Sequence, residues 1–254
     1  MFKLIFIASF CLVFLGNLTV LDNGLLTHAF GFDGRSIYTN KDIVKNTTFS
    51  EHTSQYWNWL HSIPGPITPR GVDTYDAQNC VLNQNYSAFY LADAFHMDDN
   101  SNPIERECTV PHDKSIFIQI VGSGCSYAQG ITTYEELVDC AEWIFKDPNR
   151  LVEFSVYLDK NPIIDTYLNN SDENYMDLFF TDKYPTNMTI YPNDLFDDKP
   201  GKDWPAMTYG YFLHIKPLSK GIHELHIKSD TSLQDLDDPN QEKKMNLMYK
   251  LMVN

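Results

Sequence analysis

The sequence predicts an all-β protein: an antiparallel β-sandwich, jelly-roll or immunoglobulin-like, carrying one or two short helices. Two observations predict it. Eight short apolar runs of strand length are punctuated by Gly, Pro, Asn and Asp clusters, without helices alternating between them. Hydrophobic residues make up 43% and aromatics 14% of the 254 residues. That is ample for a packed core, and aromatics favour pleated, half-buried surfaces.

The chain opens "MFKLIFIASFCLVFLGNLTVL", in which one lysine precedes an apolar run from Leu4 to Gly16. This matches the charged start and short apolar stretch of an export signal. The run is brief for a spanning helix, which needs about 20 apolar residues. Residues 1–29 therefore read as a signal peptide, with Thr27 and Ala29 offering a late cleavage site, or as an uncleaved N-terminal anchor. Residues 30–50 read as an extended polar lead-in, and 51–254 as one sandwich domain, since no linker or internal repeat divides them.

Cys11 lies in the signal, which leaves Cys80, Cys108, Cys125 and Cys140. An even count in an exported chain predicts two disulfides, with the sequential pairing Cys80–Cys108 and Cys125–Cys140 favoured. A structural metal site would use close pairs such as C-x-x-C, and none occurs. Asn46, Asn85, Asn169 and Asn187 each begin N-x-[ST], which permits glycosylation in an exported protein.

A short helix is predicted in "SEHTSQYWNWLHSIPGP", stopped by Pro64 and Pro66. Strands follow at 87–95, 115–121, 151–158, 175–180, 188–192, 207–215, 222–228 and 245–253. A second helix starts at "TTYEELVDCAEW", where Thr133 and Glu136 have capping-box spacing and Leu137, Cys140, Ala141 and Ile144 form one stripe. Residues 210–230 read as a hairpin around "PLSKG", with Lys216 opposite Ile222.

The formal charge of −15 and the absence of a Lys/Arg-rich run exclude nucleic-acid binding. Membrane contact is expected solely through the N-terminal segment. Catalytic signatures are missing: the chain contains no G-x-S-x-G, no H-E-x-x-H and no phosphate-binding Gly-rich loop.

Three clusters remain as candidate sites. In the predicted hairpin His214 lies across from Glu224, with His226 diagonal to both. An ordinary cross-strand His–Glu pair on a solvated face is the favoured reading, since a flat strand face lacks a pocket; two imidazoles and a carboxylate also suit Zn²⁺ or Fe²⁺ and are kept as the alternative. His223 reads as a core or edge histidine. Asp98, Asn100 and Asn102 alternate as in a calcium loop, but Pro103 replaces the turn glycine and Thr109 the bidentate Glu, so an EF-hand is rejected and a weak Ca²⁺ site is left. Tyr56, Trp57 and Trp59 favour a helix clamped into the core, with a sugar-stacking platform as the alternative.

In combination, Trp57 and Trp59 before "SIP" (62–64), Asn79–Cys80, "RECTVP" (106–111), "ELVDCA" (136–141) and "PLSKGIHELHI" (217–227) resemble a group of uncharacterised exported proteins from soil bacteria and archaea. The resemblance spans roughly 55–253 and implies a secreted, disulfide-containing all-β domain with no activity to transfer. The relatives' polar hairpin face lacks an obvious His–Glu trio. The function expected is therefore non-catalytic binding of an extracellular glycan or cell-envelope component, at the cell surface or beyond it. The rivals are a metal-dependent enzyme using His214, Glu224 and His226, and an envelope protein self-assembling through a sheet edge.

Overall fold

A computed structural model of the chain describes residues 36–70, 77–94, 103–143, 145–146, 153–166, 176–193, 196–234 and 242–254. The signal or anchor and the loop carrying Asp98, Asn100 and Asn102 lie outside these residues. In chain order the strands are β1 (Ile37–Tyr38), β2 (Ile43–Val44), β3 (Thr47–Thr48), β4 (Phe89–Leu91), β5 (Ile104–Val110) and β6 (Ile116–Ser126). They continue as β7 (Glu153–Leu158), β8 (Asn161–Asp165), β9 (Phe180–Ile190), β10 (Gly201–Ile215), β11 (Gly221–Gln234) and β12 (Glu242–Val253). Helix α1 spans Phe49–His61 and α2 spans Tyr134–Glu142.

The all-β fold with few helices is what the sequence predicts. One sheet has the order β1-β10-β6-β4, with β9 also on β10; the second has the order β5-β12-β11-β7-β8. Two parallel pairs, β5 with β12 and β4 with β6, join an otherwise antiparallel arrangement. The lead-in is integrated rather than trailing, because Ile37 pairs with Ile215 and is buried in the core.

The first sheet is buried on both faces. Ile116, Ile118, Leu213 and Ile215 meet Leu225, Ile227, Leu247 and Leu251 of the second sheet. On the opposite side Phe117 and Phe212 meet Phe49, Tyr56, Trp59 and Leu60 of α1. This is why "SIFIQI" and "YFLHI" read as continuous apolar runs, whereas β11 and β12 alternate: the second sheet keeps one wet face.

Both helices start where their sequence says. Thr48 accepts from Glu51 N at 3.3 Å while Glu51 accepts from Thr48 N at 2.7 Å, and Thr133 and Glu136 repeat the device on α2. The Thr48 backbone and side-chain hydrogen bonds hold the Glu51 carboxyl below its ordinary value.

Cys80–Cys108 and Cys125–Cys140 are both bridged, with sequence separations of 28 and 15. Loops of that size correspond to about 3–4 kcal/mol of constraint on the unfolded chain. Such bridges belong to an oxidising environment. The first ties the 3₁₀ turn Ala77–Val81 to the edge strand β5, and the second pins α2 to β6.

The other sheet edges are also blunted. On β4, Gln84 donates to Tyr90 O at 2.7 Å and accepts from Tyr90 N at 2.9 Å, standing in for a neighbouring strand. Asn58 of α1 does the same for β9, bonding Asn187 O at 2.9 Å and Thr189 N at 3.0 Å. The short edge strand β8 carries Pro162.

A buried polar hub fastens the layers. Asp93 accepts from Tyr56 OH at 2.8 Å, Arg70 Nη2 at 2.7 Å and Gln119 Nε2 at 3.1 Å. Its carbonyl and that of Ala92 accept from Arg106 Nη1 at 3.1 and 2.9 Å, and Arg106 reaches Tyr249 OH at 3.0 Å. Two glycines permit close approaches. Gly210 has φ +137° with its Cα side against Val121 O and Gly122, and Gly124 lies under the Trp57 ring.

A Cβ on Gly124 would stand 2.5 Å from Trp57 Cδ2. Trp57 is itself confined between His61, Phe196 and the Arg70 guanidinium. Gly124→Ala is therefore expected to lose about 1–3 kcal/mol of stability by overpacking, read from the denaturant midpoint. An unchanged midpoint would show that Trp57 is free to move.

Candidate functional site

The predicted hairpin does not form. Phe212–Ile215 of β10 pair with Ile116–Gln119 of β6, and residues 222–228 of β11 pair with 246–252 of β12. The "PLSKG" segment thus crosses between sheets. Within each strand the alternation is as read: Leu213 and Ile215, like Leu225 and Ile227, face the inter-sheet core. The error lay in partner choice, because either pairing buries the same odd-numbered residues.

The crossover separates the proposed metal ligands. His214 is 1% exposed under α1, while Glu224 and His226 lie on the wet face of the second sheet. Glu224 is opposite Lys250, and His226 Nε2 lies 2.7 Å from Asn246 Oδ1 beside the Tyr157 ring. The Zn²⁺ or Fe²⁺ site at His214, Glu224 and His226 is therefore corrected. Among the described residues no group of three His, Cys, Asp or Glu is placed to hold a metal.

The aromatic platform is corrected too. Tyr56, Trp57 and Trp59 are 0%, 3% and 0% exposed, so none can stack on a sugar. Tyr56 is bonded to Asp93, and Trp59 Nε1 donates to Leu82 O at 2.8 Å. Burial, and next the Asp93 charge, push the Tyr56 hydroxyl far above its ordinary range. Because Ile63, Leu82 and Tyr86 pack on α1 together with Phe117 and Phe212 of the first sheet, adjacent helix positions all find a core.

His214 has a different partner, His52 of α1, with ring centroids 4.6 Å apart and Phe117 at 5.3 Å. His214 Nε2 lies 2.9 Å from Ser115 Oγ, and His52 Nδ1 lies 3.3 Å from Tyr90 OH. Burial pulls His52 down from 6.5 to about 4, against the raising effect of Glu51. Burial and the neighbouring His52 pull His214 from 6.5 to about 3. Both imidazoles are neutral packing elements at physiological pH.

His223 is neither core nor inert edge. Its Nδ1 lies 2.7 Å from Asp159 Oδ2; its Nε2 lies 3.0 Å from Ser219 O and 3.3 Å from Ser219 Oγ. Asp159 also accepts from Glu224 N at 2.9 Å through Oδ1. Ser, His and Asp in line invite a nucleophile reading. The nearer contact argues otherwise: a carbonyl at Nε2 requires N–H there, so the ring is protonated on both sides and cannot take the serine proton. Burial lowers the His223 value, but the Asp159 carboxylate and the Ser219 carbonyl outweigh it and hold it above 6.5. The trio is a latch joining the sheet crossover to the β7–β8 turn. Sequence reading missed it because Asp159 is distant along the chain and Ser219 contributes its backbone.

Beside this latch, the wet face of the second sheet forms an open groove of about 1070 Å³. At one end Ile222, Val81 and Met252 are 70%, 49% and 37% exposed. Across the middle runs the cross-strand row Glu107–Lys250–Glu224, with Lys250 Nζ 2.7 Å from Glu107. Met248 and Glu105 make the next row. The even-numbered alternation of β11 and β12 carried this signal; the contribution of Val81 and β5 needed the fold.

No family model matches the chain, and no curated protein matches it. Among solved structures, a cysteine protease inhibitor from Entamoeba histolytica is 9% identical over 65% of this chain and 93% of that chain, with a TM-score of 0.21. At that score the likeness bears on neither fold nor function.

The two histidine sites titrate in opposite senses. The unfolded chain binds protons at His52 and His214 below 6.5, whereas the fold refuses them until about 4 and about 3. Stability is therefore expected to fall as pH drops beneath 6.5, and His52→Phe to flatten that part of the denaturant-midpoint profile. His223 is the reverse case. Its raised value makes the latch strongest below 6.5 and lost as pH rises through the folded-state value. His223→Gln should thus cost stability at acid pH and progressively less in alkali; a cost independent of pH would contradict the imidazolium assignment.

Proposed function

We propose that this is an exported, non-catalytic binding protein whose ligand lies along the wet face of the second sheet. The groove is the supporting observation: exposed Ile222, Met252 and Val81 beside the mixed-charge row Glu107–Lys250–Glu224, on a chain of formal charge −15. Contiguous apolar side chains rimmed by charge mark interaction surfaces. The acidic excess of the chain favours a cationic partner, and a groove that runs over the neighbouring strands β5, β12 and β11 can take an extended segment. The ligand class is accordingly an extracellular or envelope polypeptide that presents lysine or arginine between apolar side chains. The glycan alternative has lost its platform, since Tyr56, Trp57 and Trp59 are buried. Growth through a sheet edge is disfavoured by Gln84, Asn58, Pro162 and the Cys80–Cys108 tether. The signal-like N-terminus and the two bridges support an extracellular location.

A short synthetic peptide of alternating lysine and leucine, with a glutamate–leucine peptide as control, provides the test by calorimetric titration. Saturable, salt-sensitive binding of the basic peptide is expected. It should weaken at least about tenfold, or about 1.4 kcal/mol, in Ile222→Glu or Met252→Glu. Both side chains are exposed, so the variants should fold normally. Equal binding of the two peptides, or indifference to both substitutions, would overturn the reading. Saturable binding of a soluble polysaccharide instead would return it to a glycan ligand.

A further inference from the structure

We propose that the chain is a glycoprotein modified at Asn46, Asn85 and Asn187, with its glycans gathered around α1 and the groove face left bare. The three tripeptides are Asn46-Thr47-Thr48, Asn85-Tyr86-Ser87 and Asn187-Met188-Thr189. A fourth, at Asn169, lies outside the described residues. All three asparagines are exposed.

Their placement is the second, independent observation. Far apart in sequence, the three converge on one helix. Thr48 is the N-cap of α1, so the first tripeptide runs directly into the helix. Thr47 Oγ1 lies 3.2 Å from Ser87 Oγ, which sets the second tripeptide beside the first. Asn58 of α1 clasps the third through Asn187 O and Thr189 N, and the Ser54 and Thr186 hydroxyls also bond. None of the three lines the groove, which lies on the far face of the other sheet. Tripeptides scattered without constraint would fall on buried strands or on that face as readily.

The chemistry is a group transfer from a lipid-phosphate-linked oligosaccharide. The asparagine Nδ2 bonds to the anomeric carbon, the bond from that carbon to the phosphate oxygen breaks, the lipid phosphate leaves, and Nδ2 gives up one proton. In the fold Thr48 Oγ1 is held by Glu51, and Ser87 by Thr47. The hydroxyls that complete the first two tripeptides are thus engaged after folding, which assigns the transfer there to the chain as it emerges.

The test is mass spectrometry of the full chain purified from the cells that make it, before and after enzymatic removal of N-linked glycans, which converts a modified asparagine to aspartate. Carbohydrate adducts are expected on at least two of the three residues. At each occupied position the substitution Asn46→Asp, Asn85→Asp or Asn187→Asp should remove one adduct. Aspartate is the replacement because Asn46 has φ +60°, a left-handed conformation that aspartate tolerates. Unmodified asparagine at two or more of the three positions overturns the proposal. That failure is distinct from failure of the groove reading, since none of the three asparagines lines the groove.

Discussion

One buried carboxylate holds three layers together. Asp93, beyond the end of β4, binds Tyr56 from the helix layer and Gln119 from the first sheet, with Arg70 as its counter-charge. One residue's backbone away, Arg106 of the second sheet closes onto Ala92 O, Asp93 O and Tyr249 OH. Apolar packing alone is indifferent to small slides of one layer over another. Directed bonds in a low-dielectric interior are not, because each broken partner leaves a costly unpaired group. The hub therefore sets the register in which α1 lies on the first sheet and the first sheet on the second.

From that register the rest follows. With α1 fixed over β6 and β10, the even-numbered positions of β10 become interior, which turns His214 from a surface ligand candidate into a neutral aromatic packing group. Among the described residues no helix covers the second sheet, so the even positions of β11 and β12 stay in water and carry Glu224, Lys250 and Met252. The proposed ligand site accordingly lies on the face that the layering leaves open. The disulfides reinforce this division: Cys80–Cys108 brings Val81 to the rim of the groove, and Cys125–Cys140 closes the far end of the first sheet under α2.

Much of the fold was legible because its signals are local. Thr133 with Glu136 announces its helix within four residues; Thr48 with Glu51 carries the same signal, which the reading of 30–50 as an extended lead-in passed over. The period-two pattern of β11 names its core face without reference to any partner. The candidate sites were legible only in part. His226 and Glu224 are on a wet strand face as expected, but the third member of their trio is a sheet away. Tyr56, Trp57 and Trp59 could not be divided between core and surface while the second surface covering α1 was unknown. The His223 latch was invisible, since it depends on a carbonyl and a remote turn.

By itself the sequence determined an all-β body with two short helices, two sequential bridges suited to an oxidising compartment, and the inward faces of β7, β10 and β11, while β5 and β8 went unread and the strand expected at 175–180 contains the 3₁₀ turn Asp177–Phe179. These depend on hydrophobic periodicity, capping chemistry and cysteine count, all properties of neighbours along the chain. Tertiary structure alone decided which strands pair across "PLSKG", which face stays wet, and which histidine meets which partner. The physical reason is that a hairpin and a sheet-to-sheet crossover bury the same alternate residues. Only the layer packed on the other side makes one of them lower in free energy.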